Sequence, residues 1–420
     1  MLLKAYIASG LVAVAAAKVC SVKPLGAGKD DTDRVLAAID ACGTNGFTSF
    51  APGTFNITRK MTWTLNNAIV DLRGTLSFLP DVTYWLNASN TYRVVDIQSQ
   101  ASWFVVTGKN FVIDAHGTGG IDGNGQTWWD YFATRTRLDG DGRPIAFTLF
   151  EAQDAIVRNF KIFAQPFWCN TAAKSARVVY DGMTCNATNT NPTYAGQNIV
   201  PNTDGINTYR SDRITMLNWD ITCGDDCLAI KGNSTNIIAK GITCRGGNGI
   251  AIGSLGQYVG QPDIVENVTM QNLRMLRLPT QVQPNMKNGV YLKTWTGSVT
   301  GTPPTGGGGG GGRVHNLVAR NVSLDRVDFP VHLYQTNSGH SADAPSQLAF
   351  SDLRFEDWTG SVTTSNKLVD IECSPAVPCP GVRFDNFAVP PPSGQAPRFI
   401  CVNVVDEVGL PAPCNATGLP

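Results

Sequence analysis

Ile214-Thr215-Met216 with Asn218 behind it, Ile237-Ile238-Ala239, Val268-Thr269-Met270 with Asn272, and Leu317-Val318-Ala319 with Asn321 are the stretches that decide the fold. Each is a short β-branched or apolar run, and a polar turn residue often follows. Phe104-Val105-Val106, Phe111-Val112-Ile113 and Ile156-Val157-Arg158 carry the same pattern back towards Ser102. The runs recur at roughly 20–30 residues, the range of stacked-coil solenoids. One coil cannot bury its apolar face alone. Stacked coils bury one continuous interior and pair their strands in parallel. The pattern therefore predicts an all-β chain, a single parallel β-helix. A sandwich would show cleaner alternation and hairpin turns.

Ahead of the repeats, Asp31-Thr32 precedes Val35, Leu36, Ile39 and Cys42. That is an N-cap signal followed by helical spacing, and it predicts one short capping helix. Beyond it helical periodicity largely disappears. Two stretches interrupt the repeats: a Pro/Gln/Asn-rich insertion from Leu278 to Asn288, and seven glycines from Gly306 to Gly312 behind Pro303-Pro304. The glycines read as a flexible loop. A phosphate cradle would need a strand before, a helix after and a Lys-Ser/Thr pair.

Composition narrows the class. The 33 basic and 33 acidic residues cancel, so the basic excess of a nucleic-acid binder is missing. Met1-Leu2-Leu3-Lys4, the apolar run Ala5 to Ala17 and the small residues Ala15-Ala16-Ala17 read as a signal peptide over residues 1–17. The run is short for a membrane span. Residues 18–420 would then be a secreted, extracellular domain, expected to be monomeric and to have no membrane partner. Eleven cysteines fit an oxidising compartment. Proximity suggests Cys20–Cys42, Cys169–Cys185, Cys227–Cys244, Cys373–Cys379 and Cys401–Cys414, with Cys223 left over. No cysteine pairs recur at zinc spacing, so neither a metal nor another cofactor is expected. Seven sequons, at Asn56, Asn87, Asn186, Asn233, Asn267, Asn321 and Asn415, add to the secretory reading.

The chemistry is carried by Asn202-Thr203-Asp204-Gly205 and Gly224-Asp225-Asp226-Cys227. Asp204 and Asp225 are 21 residues apart, about one coil. Adjacent parallel strands lie about 4.8 Å apart, so three carboxylates would crowd one patch of surface. Crowded carboxylates resist ionising together, which leaves a proton donor beside a base. Glycosidic hydrolysis needs that pair. Two other readings of the aspartates are plain turn residues and a calcium site.

These two motifs resemble those of glycoside hydrolase family 28, the polygalacturonases and rhamnogalacturonases, and the likeness extends over nearly the whole mature chain. The resemblance implies a right-handed parallel β-helix and inverting hydrolysis of a pectic polysaccharide or oligosaccharide. It makes Asp225 the general acid, Asp204 and Asp226 the groups that activate water, and Asn202 a hydrogen-bonding support. Two positions depart from the polygalacturonase pattern. Gly247-Asn248-Gly249 stands where the family has Gly-His-Gly, and Tyr291-Leu292-Lys293 where polygalacturonases have Arg-Ile-Lys. An arginine clamps a galacturonate carboxylate with two hydrogen bonds, whereas a tyrosine offers a stacking face and one hydroxyl. The expected substrate is therefore rhamnogalacturonan attacked from its non-reducing end with release of rhamnose. Release of galacturonate from polygalacturonate is the alternative.

Asn248, Tyr291, Lys293, Trp295 and Gln335 are the expected substrate-binding residues. Gln335 is included because it matches a family position. Trp128-Trp129 and Trp168 read as packed side chains rather than sugar platforms. His332 is either packed or turned into the cleft, and His340 is read as solvent-exposed. The segments Gln126–Arg143, Asn170–Asn198 and Leu278–Asn288 are candidates for closing one end of the cleft, as in the fungal exo-acting branch. A non-catalytic pectin-binding β-helix and a calcium-dependent lyase are the rival classes.

Overall fold

The computed structural model describes residues 18–337, 339 and 342–415. The expected leader, residues 1–17, and His340 lie outside them. Strands Asp212–Thr222, Ser234–Arg245, Asp263–Leu276, Gly311–Val327, Gln347–Val362 and Val382–Ala388 pair in parallel, each with the next. Ile237, Val268, Leu317, Leu353 and Val382 fall in register and are all buried. The β-branched runs thus stack into one interior that continues from Val22 to Phe399. Aromatic side chains fill its N-terminal half, where Phe50 and Trp63 stack at 5.4 Å and Trp63 meets Phe104 edge-on at 4.8 Å.

The asparagines between the runs are what turn the chain. Asn236, Asn267 and Asn316 hold φ of 56°, 57° and 57°, the left-handed region that asparagine tolerates better than most residues. The Asn267 amide donates to the Asn236 oxygen one coil earlier at 3.0 Å, and the Asn316 amide to the Asn267 oxygen at 2.9 Å. Asn321 bonds Asn272 in the same way at 2.8 Å. A ladder of this kind satisfies the corner residues while fixing the register. Two sequon asparagines, Asn267 and Asn321, are members of these ladders.

The capping helix spans Thr32–Cys42 and buries Val35 and Ile39. Beyond a short helix at Val82–Leu86, a helix at Gly125–Ala133 was not expected. Its face is carried by Trp128, Trp129 and Phe132, too short a pattern to stand out in sequence. Trp128 packs edge-on against Trp103 at 6.3 Å, inside the fold. No described helix is long and apolar enough to cross a membrane. Disulfides join Cys20 to Cys42, Cys169 to Cys185, Cys227 to Cys244, Cys373 to Cys379 and Cys401 to Cys414. Cys223 is a buried free thiol.

The glycine run is not a free loop. Thr300 and Gly307 pair as an antiparallel bridge, and Gly308 and Gly310 donate to the carbonyls of Gln257 and Gly256 at 2.9 Å and 3.0 Å. A Cβ on Gly308 would lie 2.1 Å from the Ser298 carbonyl, so glycine is what permits this approach.

A second face of the solenoid carries the site. Strands Ile206–Tyr209, Asp226–Ile230, Gly249–Leu255, Asn288–Trp295, Phe329–Asn337 and Lys367–Glu372 pair in parallel. Their register sets Asn207, Ala229, Ala251, Tyr291, His332 and Asp370 in one row.

Candidate active site

The two aspartate motifs are fastened to adjacent coils by their own backbone. Gly205 donates to the Asp226 carbonyl at 3.0 Å, and Cys169 to the Asp204 carbonyl at 2.7 Å. The Thr203 hydroxyl accepts from Gly224 at 2.9 Å and donates to the Val200 carbonyl at 2.7 Å. A Cβ on Gly224 would lie 2.3 Å from that carbonyl, so the close approach needs glycine. The threonine and the glycines of the motifs therefore build the turn that presents the aspartates. The Cys227–Cys244 disulfide ties the strand Asp226–Ile230 to the strand Ser234–Arg245 that follows it.

Each carboxylate has its own partners. Asp225 accepts from the backbone N–H of Asn202 at 3.0 Å, from the Asn202 amide at 3.3 Å and from the Asn248 amide at 2.7 Å. Asp204 accepts from Asn207 on Oδ2 at 3.0 Å, while its buried Oδ1 has no protein partner. Asp226 accepts from the Tyr291 hydroxyl and lies 3.3 Å from the Lys293 ammonium. Burial, then repulsion from Asp225 and Asp226, raises the pKa of Asp204 well above the usual carboxylate range. Burial and Asp226 also raise Asp225, against the pull of Lys293 and Asn202. For Lys293, burial opposes ionisation but the attraction of Asp226 and Asp225 wins, so its pKa is raised. Burial and crowding thus favour the protonated forms of Asp204 and Asp225, beside a lysine whose charge is favoured.

Behind Asn202 stands a residue that sequence reasoning missed. Arg143 donates to the Asn202 side-chain oxygen at 3.0 Å and pairs with Asp141 at 2.9 Å. Its guanidinium lies over Phe132 and Phe167, at 5.3 Å and 4.8 Å from their centroids. By occupying the oxygen of Asn202 it leaves the amide nitrogen to face Asp225. Fifty-nine residues separate Arg143 from Asn202, and no local pattern signals the contact.

Asn248 and Lys293 line both hollows of the cleft. On one side a groove of about 550 Å³ is lined by Lys287, Tyr291, Phe329, His332, Tyr334 and Lys367, among others. On the other a pocket of about 290 Å³ is lined by Asp204, Asp225 and Asp226 and by Gln98, Asp139 and Thr305, among others. The segments carrying those last three residues lock together. The Gln98 amide donates to Asp139 at 3.1 Å, and the Gln98 backbone N–H to the Tyr258 hydroxyl at 2.7 Å. The neighbouring Gln257 amide donates to the carbonyls of Pro304 and Gly306, at 3.1 Å and 2.9 Å. Of the segments expected to close the cleft, Gln126–Arg143 contributes Asp139 and Leu278–Asn288 contributes Lys287 and Asn288 to the groove. Asn170–Asn198 lines neither hollow. The glycine-rich segment supplies the remaining part of the wall, through Thr305.

Most of the expected substrate-binding residues gather here. Asn202, Asn248, Lys293 and Trp295 line the pocket, and His332 is turned into the groove. Gln335 is a correction. Its amide donates to the Leu348 carbonyl at 2.8 Å and its oxygen accepts from Ser374 at 2.7 Å, so its polar atoms join buried coils and face no cleft. Tyr291 is a partial one. It borders the groove, but its ring packs with Ala229 and Ala251 and it is 4% exposed, which leaves little stacking face. Trp168, set aside as a packed residue, lines the pocket. So does Lys231, whose signal was available: in Asp226-Cys227-Leu228-Ala229-Ile230-Lys231, a lysine ends an otherwise apolar run on the strand that bears the aspartate.

The chain is similar to several known proteins. The family model for Glycosyl hydrolases family 28 matches residues 59–410. An Aspergillus niger protein named "Putative galacturan 1,4-alpha-galacturonidase A" is 38% identical over 94% of this chain and 93% of its own. An alpha-L-rhamnosidase of the same fungus is 32% identical over 95% of this chain and 90% of its own. Among solved structures, the endo-xylogalacturonan hydrolase of Aspergillus tubingensis superposes with a TM-score of 0.77 at 21% identity, over 95% of this chain and 100% of that one.

Proposed function

The chain belongs to glycosyl hydrolases family 28 and cleaves pectin, and from that premise we propose that it removes single sugars from chain ends with inversion. The observation that carries the exo reading is the wall of Gln98, Asp139 and Thr305. A polysaccharide lying along the groove meets it, so only a terminal sugar enters the pocket. Asn248 and Lys293, common to pocket and groove, mark where the scissile bond would sit.

In the proposed reaction Asp225 gives its proton to the glycosidic oxygen as the bond to the anomeric carbon breaks. A water held by Asp204 and Asp226 attacks that carbon from the opposite face and passes its proton to the carboxylates. The unpartnered Oδ1 of Asp204 is free to hold this water. Tyr291 and Lys293 orient Asp226 and keep positive charge beside it. The products are a sugar of inverted anomeric configuration and a chain shortened by one unit. The five disulfides support action outside the cell.

Galacturonate is the released sugar that the observations favour. Similar proteins include an exopolygalacturonase of Cochliobolus carbonum, 34% identical over 95% of this chain and 86% of its own, and the pocket contains two lysines. Rhamnose, the sugar expected from sequence, is the second reading. It is favoured by Asn248 and Tyr291 at the positions that depart from polygalacturonases and by the two indoles, Trp168 and Trp295, in the pocket. Incubation with polygalacturonate and rhamnogalacturonan oligomers decides. Free galacturonate as the first product supports the first reading and free rhamnose the second, while internal oligomers overturn exo action. Activity unchanged in Asp225→Asn would overturn the assignment of the acid.

A further inference from the structure

One cation in the pocket is uncommitted. Lys231 is 5% exposed and closes the strand Asp226–Ile230, where its backbone N–H is fixed to the Thr208 carbonyl at 2.9 Å. Its ammonium lies 5.5 Å from the centre of the Trp168 ring. Lys293 pairs with Asp226, Lys174 with Asp96 and Lys367 with Asp370. Among the described residues, no carboxylate lies within ion-pair distance of Lys231. Asp204, Asp226 and Asp139 act on it only from further away, and burial and Lys293 both disfavour its charge. A buried ammonium is costly unless something pairs with it.

We infer that Lys231 reads the carboxylate of the sugar in the closed pocket, so that the pocket selects a hexuronate over a neutral sugar. Three aspartates at the mouth of the pocket repel an acidic ligand, and Lys293 is already engaged by Asp226 and Tyr291. Lys231 is the cation left to offset that repulsion. A uronate would complete its coordination, and a neutral sugar would leave it buried and unpaired. Trp168 beneath the ammonium holds it in place without competing for its hydrogen-bond donors.

This inference rests on the terminal-sugar reading, and the experiment separates the two. The affinities of galacturonate and galactose, which differ only at the carboxylate, are measured for the wild-type protein, Lys231→Met and Lys231→Arg by competition and by thermal shift. The wild type should prefer galacturonate. Lys231→Met should weaken galacturonate by about 10–100-fold, the worth of one charged hydrogen bond, and leave galactose unchanged. Lys231→Arg should retain most of the preference. Equal affinity of the wild type for both sugars, or full galacturonate affinity in a folded Lys231→Met, overturns the role of Lys231. The wild-type comparison stands even if the methionine variant does not fold. Internal oligomers as first products would overturn exo action alone, because the binding measurement judges Lys231 independently.

Discussion

The hydroxyl of Tyr291 donates to Asp226, and the ammonium of Lys293 lies 3.0 Å from that hydroxyl and 3.3 Å from the other carboxylate oxygen. Tyr291 therefore acts through Asp226, as a positioning residue. Its ring fits because the two preceding coils place Ala229 and Ala251 in the same row. Tyr291→Phe keeps the ring and removes the donor. The loss of a hydrogen bond to a charged group predicts a fall in kcat of about 10–100-fold with little change in KM. A rise in KM at unchanged kcat would instead make Tyr291 a substrate contact.

Asn248 donates to Asp225, and a bond donated to a carboxylate favours its ionised form. Removing the donor in Asn248→Ala should raise the pKa of Asp225 further. The acid then keeps its proton to higher pH, and the alkaline limb of the kcat profile should move upward by up to about one unit. An unmoved limb, or one displaced downward, would count against Asp225 as the proton donor.

What sequence could reveal follows the range of each interaction. The asparagine corners are local: Asn218, Asn272 and Asn321 carry their turn preference within one residue. Asp204 and Asp225 were placed together because no insertion falls in the coil between them. Arg143, Gln98 and Thr305 were not legible, since insertions of unrelated length bring them to the pocket. Gln335 misled for a physical reason. A buried amide bridging two coils and one reaching a sugar look the same in sequence, and only the positions of Leu348 and Ser374 distinguish them. The glycines Gly306 to Gly312 read as loose because their restraint comes from Gln257, far away in the chain.

The raised acids make stability pH-dependent. A carboxyl whose folded pKa lies above its unfolded value, about 3.9, binds more protons in the native state over the interval between the two. Stability therefore falls as pH rises through that interval. Asp139, Asp204, Asp225 and Asp263 all belong to this class. Asp71 and Asp114 are lowered despite burial, by bonds that include Ser49 and Arg73 for the first and Asn159 and Arg158 for the second. They contribute above the unfolded value, and that contribution is lost as pH falls through their folded values. Tm should accordingly peak in mildly acidic solution. Asp204→Asn should raise Tm at pH 7 and have little effect near pH 4. A scanning calorimetry series in which this variant is less stable than the wild type at pH 7 would refute the account.

One part of the wall, the segment bearing Thr305, can be removed without breaking the strand beneath it, while Gln98 and Asp139 stay in place. Thr300 pairs with Gly307, so deleting residues 302–305 leaves Gly301-Gly306 as a two-residue turn between paired positions, a connection glycines accommodate well. The deletion takes Thr305 from the pocket and the Pro304 carbonyl from Gln257. It also frees Gly140, whose Cβ position lies 3.0 Å from Pro304. The aspartates, Asn248, Tyr291 and Lys293 are untouched, so bond cleavage itself should persist. A chain could then run past the catalytic residues, and the first products should shift from monosaccharide to oligosaccharides, read by chromatography of early time points. Release of monosaccharide alone from the shortened protein would place the determinant of exo action elsewhere than in this segment.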